Sequence, residues 1–141
     1  SWCGRTVALD VAHNPASAAR LAGWLSARRP RPAEGARCWG VFACLDDKPI
    51  ESMLAPFAGL LDGAAAVQLS GERSLGVEEL IGKMRAAGIG VIASGDCSAV
   101  LAGVMQHSRP GDWIVVFGSF LTVAGAMQHL QQQADAERVA E

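Results

Sequence analysis

Three short segments of the sequence place polar residues directly after apolar runs, where side chains could bind a ligand. They are Asp10, His13 and Asn14 in LDVAHNP, Asp46, Asp47 and Lys48 in CLDDKP, and Ser119 in GSFLT. Carboxylates and imidazoles hydrogen-bond to ligands, and a serine before a helix can help to hold an anion. Each segment, taken alone, is also explained by ordinary turn and cap chemistry. Together they nominate a binding site.

The first segment separates into structural and functional candidates. Asn14 is a good N-cap and Pro15 suits the first helical position, so these two residues explain the start of a helix. Asp10 is not needed for that start, which favours a functional role. His13 is equally well explained as a ligand contact or as a loop histidine. The same balance holds for Ser119, whereas the acidic cluster beside Lys48 is more typical of a solvated loop.

Five apolar runs alternate with segments of helical spacing, and this pattern positions the polar residues. The runs are Thr6–Leu9, Cys38–Cys44, Ala64–Leu69, Gly90–Ala93 and Trp113–Phe117. Apolar residues recur at i, i+3, i+4 and i+7 after each run, the last stripe extending to Leu130. This alternation predicts a single α/β domain over residues 1–141, with a mostly parallel, twisted, Rossmann-like sheet covered by helices on both faces. Pro56 should end or kink the second helix.

In such sheets, ligands bind outside the carboxyl ends of the strands, so the three polar segments are expected to converge on one edge. The composition (50% hydrophobic, 18% charged, net charge −2) indicates a globular domain with no nucleic-acid or membrane partner. The four cysteines form no C-x-x-C pair and indicate no metal site, and those in the apolar run RCWGVFACL are typical of buried thiols of an intracellular protein. No signal peptide is apparent. The residues alone therefore predict a cytoplasmic α/β domain that contributes strand-end polar groups to a ligand site.

Several familiar motifs are missing from the sequence. It contains no G-x-x-x-x-G-K-[ST] phosphate loop, no G-x-G-x-x-G after the first run and no G-x-S-x-G nucleophile. We accordingly nominate no catalytic residue. A non-enzymatic α/β binding or interaction module stays open as an alternative. A receiver-like domain is disfavoured, because the third run ends in Leu69, Ser70 and Gly71 rather than in an aspartate.

Three segments, LDVAHNP, ACLDDKPI and VVFGSFLTVAGAM, resemble the C-terminal domain of folylpolyglutamate synthase/dihydrofolate synthase, in the Mur ligase superfamily. The resemblance covers essentially the whole chain. It implies an ATP-dependent ligase of folate biosynthesis and one-carbon metabolism, which joins L-glutamate to dihydropteroate or folate through an acyl phosphate. ATP and Mg²⁺ would be bound mainly by an N-terminal ATPase domain outside this chain. The isolated chain is then expected to be inactive.

The same resemblance implies roles for individual residues. Asp10 matches a residue that contacts ATP, at the ribose, and His13 matches a neighbour in the nucleotide or glutamate region. Ser119 matches a serine near the incoming glutamate. Lys48 matches a lysine without a firm role. Leu121 departs from relatives that have a polar or aromatic residue there.

Overall fold

One sheet of five strands forms the centre of the protein, here described from a computed structural model. The structure describes residues 5–10, 14–28, 35–43, 49–68, 76–118 and 128. The strands are β1 (Thr6–Leu9), β2 (Cys38–Phe42), β3 (Gly63–Val67), β4 (Val91–Gly95) and β5 (Trp113–Phe117). The helices are α1 (Pro15–Arg28), α2 (Ile50–Leu54), α3 (Val77–Ala86) and α4 (Cys97–His107), with a 3₁₀ turn over Ala55–Phe57.

In the strand order β1–β5–β2–β3–β4, the three strands that precede the predicted polar segments in the sequence are neighbours. All four strand pairs are parallel, and Trp113 of β5 lies opposite both Thr6 of β1 and Cys38 of β2. The predicted α/β class with a mostly parallel sheet is therefore confirmed. Because β5 enters between β1 and β2, the carboxyl ends of these three strands lie side by side.

Both faces of the sheet are covered, as the continuous apolar strands predicted. In β2, Cys38 and Phe42 belong to one buried cluster, whereas Trp39 and Val41 belong to the other. The first cluster also contains the buried residues of α1, α2 and α3, and the second contains those of α4. None of the helices in the described part of the chain has both the length and the apolar character needed to span a bilayer.

Local chemistry sets the ends of the helices. The side chain of Asn14 accepts a hydrogen bond from the Ser17 amide at 2.8 Å, and α1 begins at Pro15, as predicted. The second helix ends at Leu54 and continues as a 3₁₀ turn through Pro56, which confirms the expected break. Cys38 is buried, as expected for a cysteine of the apolar run RCWGVFACL, and Cys97 on α4 is half-buried. Cys44 of the same run lies outside the described residues. The stripe predicted to end at Leu130 lies outside the described residues.

Candidate functional site

The carboxyl edge of the sheet is built around the end of β5. The Asp10 amide donates to the Val116 carbonyl at 3.0 Å, which fixes the end of β1 beside β5. On the other side, Gly118 has φ +110°, and a Cβ at this position would lie 2.2 Å from the Ala43 carbonyl oxygen. Only glycine permits this conformation and this close approach. The ends of β1, β5 and β2 thus form one continuous edge.

Of the predicted site residues, Asp10 is placed at this edge. His13, Lys48 and Ser119 lie outside the described residues, as do Asp46 and Asp47. Ala43 precedes the segment that contains Lys48, and Gly118 precedes Ser119. These two described residues approach each other closely. Convergence of the remaining side chains with Asp10 stays a prediction.

The Asp10 carboxylate is available to a ligand. Asp10 is exposed, and its side chain makes no hydrogen bond or ion pair with any residue in the described ranges. The cap of α1 is supplied by Asn14 instead, as the sequence indicated. A carboxylate with two free oxygens can accept hydrogen bonds from a pair of neighbouring hydroxyls. Asp10 therefore has the properties expected of a binding residue.

A groove of about 640 Å³ extends from Asp10 between β1 and α1. β1 pairs with β5 on one side, and its residues line the groove. The helix wall consists of Ser17, Arg20, Leu21 and Trp24. This spacing of i, i+3, i+4 and i+7 places the four side chains on one helix face. The groove therefore combines a hydroxyl, a guanidinium and apolar surface with the carboxylate at its end.

The apolar part of this groove is unusually open. Leu9 and Trp24, 37% and 39% exposed, are the large hydrophobic residues left exposed among the described ones, and both line the groove. Trp24 is held by Trp113, whose ring centroid is 5.8 Å away, and by Arg28, whose guanidinium carbon lies 5.2 Å from the Trp24 ring. Sequence reasoning missed the helix wall, although its spacing from the Asn14 cap could have revealed it.

The described side chains at this edge and along the groove are of types that contact ligands. Within the described residues, no group of three His, Cys, Asp or Glu side chains is arranged to hold a metal ion. A carboxylate acceptor, a hydroxyl and a guanidinium beside apolar side chains suit a ligand with both polar and apolar parts. The described edge therefore has side chains of the types that can position such a ligand.

A second aspartate, which the sequence analysis did not identify, lies at the opposite end of the same strands. Asp112 is 4% exposed, and its carboxylate accepts from the Trp39 indole at 2.9 Å and from the Arg37 and Arg109 amides, both at 3.0 Å. Burial alone would raise its pKa, but these hydrogen bonds and the charge of Arg5 hold the pKa of Asp112 below its ordinary value. Asp112 is therefore a structural anchor.

Comparisons with known proteins identify similar sequences and structures. Residues 1–120 match the family described as Mur ligase, glutamate ligase domain. The chain is 33% identical over 132 residues to the dihydrofolate synthase/folylpolyglutamate synthase of Escherichia coli, covering 94% of this chain and 28% of that protein. It thus spans less than a third of the length of this relative.

Solved structures show the same similarity. The structure of E. coli FolC in complex with DHPP and ADP has a TM-score of 0.76 and 30% identity, covering 94% of this chain and 29% of its own. A bifunctional folylpolyglutamate synthase/dihydrofolate synthase with Mn, AMPPNP and L-glutamate bound has a TM-score of 0.75 and 26% identity. There the match covers 93% of this chain and 30% of the other.

Proposed function

Because the chain belongs to the Mur ligase, glutamate ligase domain family, we propose that it acts as the C-terminal domain of an ATP-dependent ligase. The ligase would join L-glutamate to dihydropteroate or folate, consuming ATP and releasing ADP and phosphate. This reaction belongs to folate biosynthesis and polyglutamylation, and we place it in the cytoplasm. The support is the family match together with relatives named for these two activities.

The observation that carries this proposal is the free carboxylate of Asp10 at the carboxyl edge. It stands at the end of an open groove, outside the hydrogen-bonding of the described fold. In the proposed role it accepts hydrogen bonds from the two ribose hydroxyls of ATP. That contact leaves the phosphates free for cationic groups elsewhere. The domain would then orient the nucleotide, since positioning is a major part of the catalysis of such reactions.

The other site residues have roles that rest on the resemblance. His13 is proposed to contact the nucleotide or glutamate, and Ser119 to bind the carboxylate of the incoming glutamate. Lys48 is proposed as a further polar residue of this edge, without an assigned contact. Their support is the adjacency of β1, β5 and β2, whose ends precede all three residues in the sequence.

The cofactors belong to a larger assembly in this proposal. ATP and Mg²⁺ would be held mainly by an N-terminal ATPase domain of the same polypeptide, and this chain would close over the nucleotide. Solved relatives contain ADP in one case, and Mn with AMPPNP and L-glutamate in another. These complexes support ATP, a divalent metal and glutamate as partners of the whole ligase.

The test is Asp10→Ala in the ligase polypeptide that contains this chain. Formation of ADP and of the amide product is measured with dihydropteroate or folate and glutamate as substrates. We expect the rate to fall by at least about a hundredfold, because the nucleotide loses a positioning contact. Arg85→Ala removes an exposed charged side chain from the last turn of α3, at the end of that helix away from the carboxyl edge, and is the control, expected to keep full activity.

The outcomes separate the proposal from its alternative. Full activity of Asp10→Ala, with unchanged circular dichroism, would contradict the assigned role. Absence of any ligase activity in the unmodified polypeptide would instead favour a non-enzymatic binding module. The 141-residue chain alone should show no ligase activity and only weak ATP binding by calorimetry, and micromolar affinity would argue against a site completed by another domain.

A further inference from the structure

A second cavity lies at the amino end of the sheet, on the side away from Asp10. Its volume is about 330 Å³. It is lined by Gly35, Arg37, Trp39, His107, Arg109 and Asp112. These residues come from the segment before β2, from β2 itself, and from the end of α4 and the turn into β5. The cavity is therefore formed by parts of the chain that are distant in sequence.

Asp112 fixes the positions of the two arginines. One of its carboxylate oxygens accepts from the Arg37 amide at 3.0 Å, and the other accepts from the Arg109 amide at the same distance. Two backbone bonds reinforce this connection, from the Asp112 amide to the Arg109 carbonyl and from the Trp113 amide to the Arg37 carbonyl. The two arginines thus project from a common rigid frame.

The described lining residues of this cavity carry a net positive charge. Asp112 is the acidic residue among them, and it is offset by the buried Arg5, whose charge acts on that carboxylate. Its oxygens are already occupied by the Trp39 indole and the two backbone amides. Neither the Arg37 nor the Arg109 guanidinium has a hydrogen-bond or ion-pair partner within the ranges that the structure describes. The guanidinium groups of Arg37 and Arg109 therefore border the cavity, and neither is paired with an anionic side chain among the described residues.

We propose that this cavity binds a phosphate group between the guanidinium groups of Arg37 and Arg109. A planar guanidinium group can donate two parallel hydrogen bonds to the oxygens of a phosphate group. Two guanidinium groups also match the double negative charge of phosphate. The site is separate from the carboxyl edge and does not depend on the proposed ligase activity. The phosphate group could be supplied by the free anion or by a phosphomonoester, since both present the same oxygens.

The experiment is a titration of the 141-residue chain with inorganic phosphate at constant ionic strength, followed by ¹⁵N NMR. The Trp39 indole N–H is a reporter in the cavity wall, because it donates to Asp112. We expect saturable, millimolar shifts of this signal and of the Arg37 and Arg109 amides. Arg37→Gln and Arg109→Gln should each weaken binding by about fivefold or more, because each removes a charge-assisted contact.

The matched control is Arg85→Gln, which removes an exposed arginine on α3, on the other face of the sheet, and should leave phosphate binding unchanged. Ribose 5-phosphate is titrated in parallel. Tighter binding of the ester would identify a phosphomonoester as the ligand, and equal or weaker binding would identify the free anion. Shifts that do not saturate by about 50 mM phosphate, or that persist unchanged in both arginine variants, would overturn the proposal.

Discussion

Asp10 and Asp112 lie at opposite ends of the same pair of strands, and they differ in almost every physical property. Asp10 is exposed, and its carboxylate is unused by the described fold. Asp112 is buried, and its carboxylate accepts from an indole and two backbone amides. Both connect β1 to β5 through their backbones, Asp10 through its amide and Asp112 through its carbonyl. Both residues thus make a backbone hydrogen bond between the two strands. Their carboxylates differ, because one is exposed and the other is a buried acceptor.

The contrast between the two aspartates shows that the strands are held by different contacts at the two ends of the sheet. At the amino end, side-chain hydrogen bonds hold the starts of β2 and β5 in place. At the carboxyl end, backbone contacts and a close glycine approach hold the strands, which leaves polar side chains for a ligand. The structural contacts thus belong to the buried Asp112, and the proposed binding role belongs to the exposed Asp10.

The largest expected effect is on stability, from Asp112→Ala. The variant leaves one buried donor and two partly buried donors without an acceptor, so we expect the free energy of unfolding to fall by about 3 kcal/mol. Asp10→Ala should change it by no more than about 0.5 kcal/mol, because that side chain is exposed. Urea unfolding of both variants measures the difference, and equal losses would remove the contrast between the two aspartates.

A second pair of variants tests the glycine approach at the carboxyl end. Gly118→Ala should destabilise the domain by about 2 kcal/mol, because the new Cβ combines an unfavourable φ with a clash against the Ala43 carbonyl oxygen. Gly88→Ala is the control, since Gly88 has φ +84° but open space where the new methyl group would lie. It should cost about 1 kcal/mol. Equal destabilisation by the two variants would show that the positive φ alone, without the close approach to Ala43, explains the glycine at position 118.

The smallest effect is a difference in pH dependence. The pKa of Asp112 is lower in the folded state than in the unfolded one, so the folded state binds fewer protons and is stabilised above the unfolded pKa, which is about 3.9. That contribution is lost as the pH falls through the folded pKa. We therefore expect the stability gap between the wild type and Asp112→Asn to narrow on acidification below about pH 4. Urea unfolding at several pH values tests this, and a gap that widens in acid would contradict the sign.

Much of the fold was predictable because its signals are local. The continuous apolar runs predicted buried parallel strands, and Asn14, Pro15 and Pro56 predicted the helix boundaries that the structure shows. The sequence also indicated that the Asp10 carboxylate has no structural purpose, because Asn14 supplies the cap, and the structure places Asp10 exposed at the carboxyl edge. Its role as a site residue stays a prediction. Each of these inferences needs only the few residues surrounding the position.

The amino-end cluster could not be predicted in the same way. Asp112 meets Trp39 across 73 residues and Arg37 across 75, so its partners depend on which strands become neighbours. The strand order is a property of the whole chain, and no short segment encodes it. From sequence, Asp112 is simply a polar residue in the turn RPGDW. The groove wall on α1 was predictable only in part. The sequence shows that its residues share one helix face, but it does not show that this face is exposed.

The placement of β1 has a consequence for synthesis on the ribosome. Arg5 and Ser108, which are joined by a side-chain hydrogen bond beside the β1–β5 pair, are separated by 103 residues. At about 5–20 residues per second, β1 is translated several seconds before its strand partner. During that interval β1 and β2 lack β5, the strand that lies between them in the sheet. Among the described strands, β1 is thus the first to be translated and, together with β5, among the last to be paired.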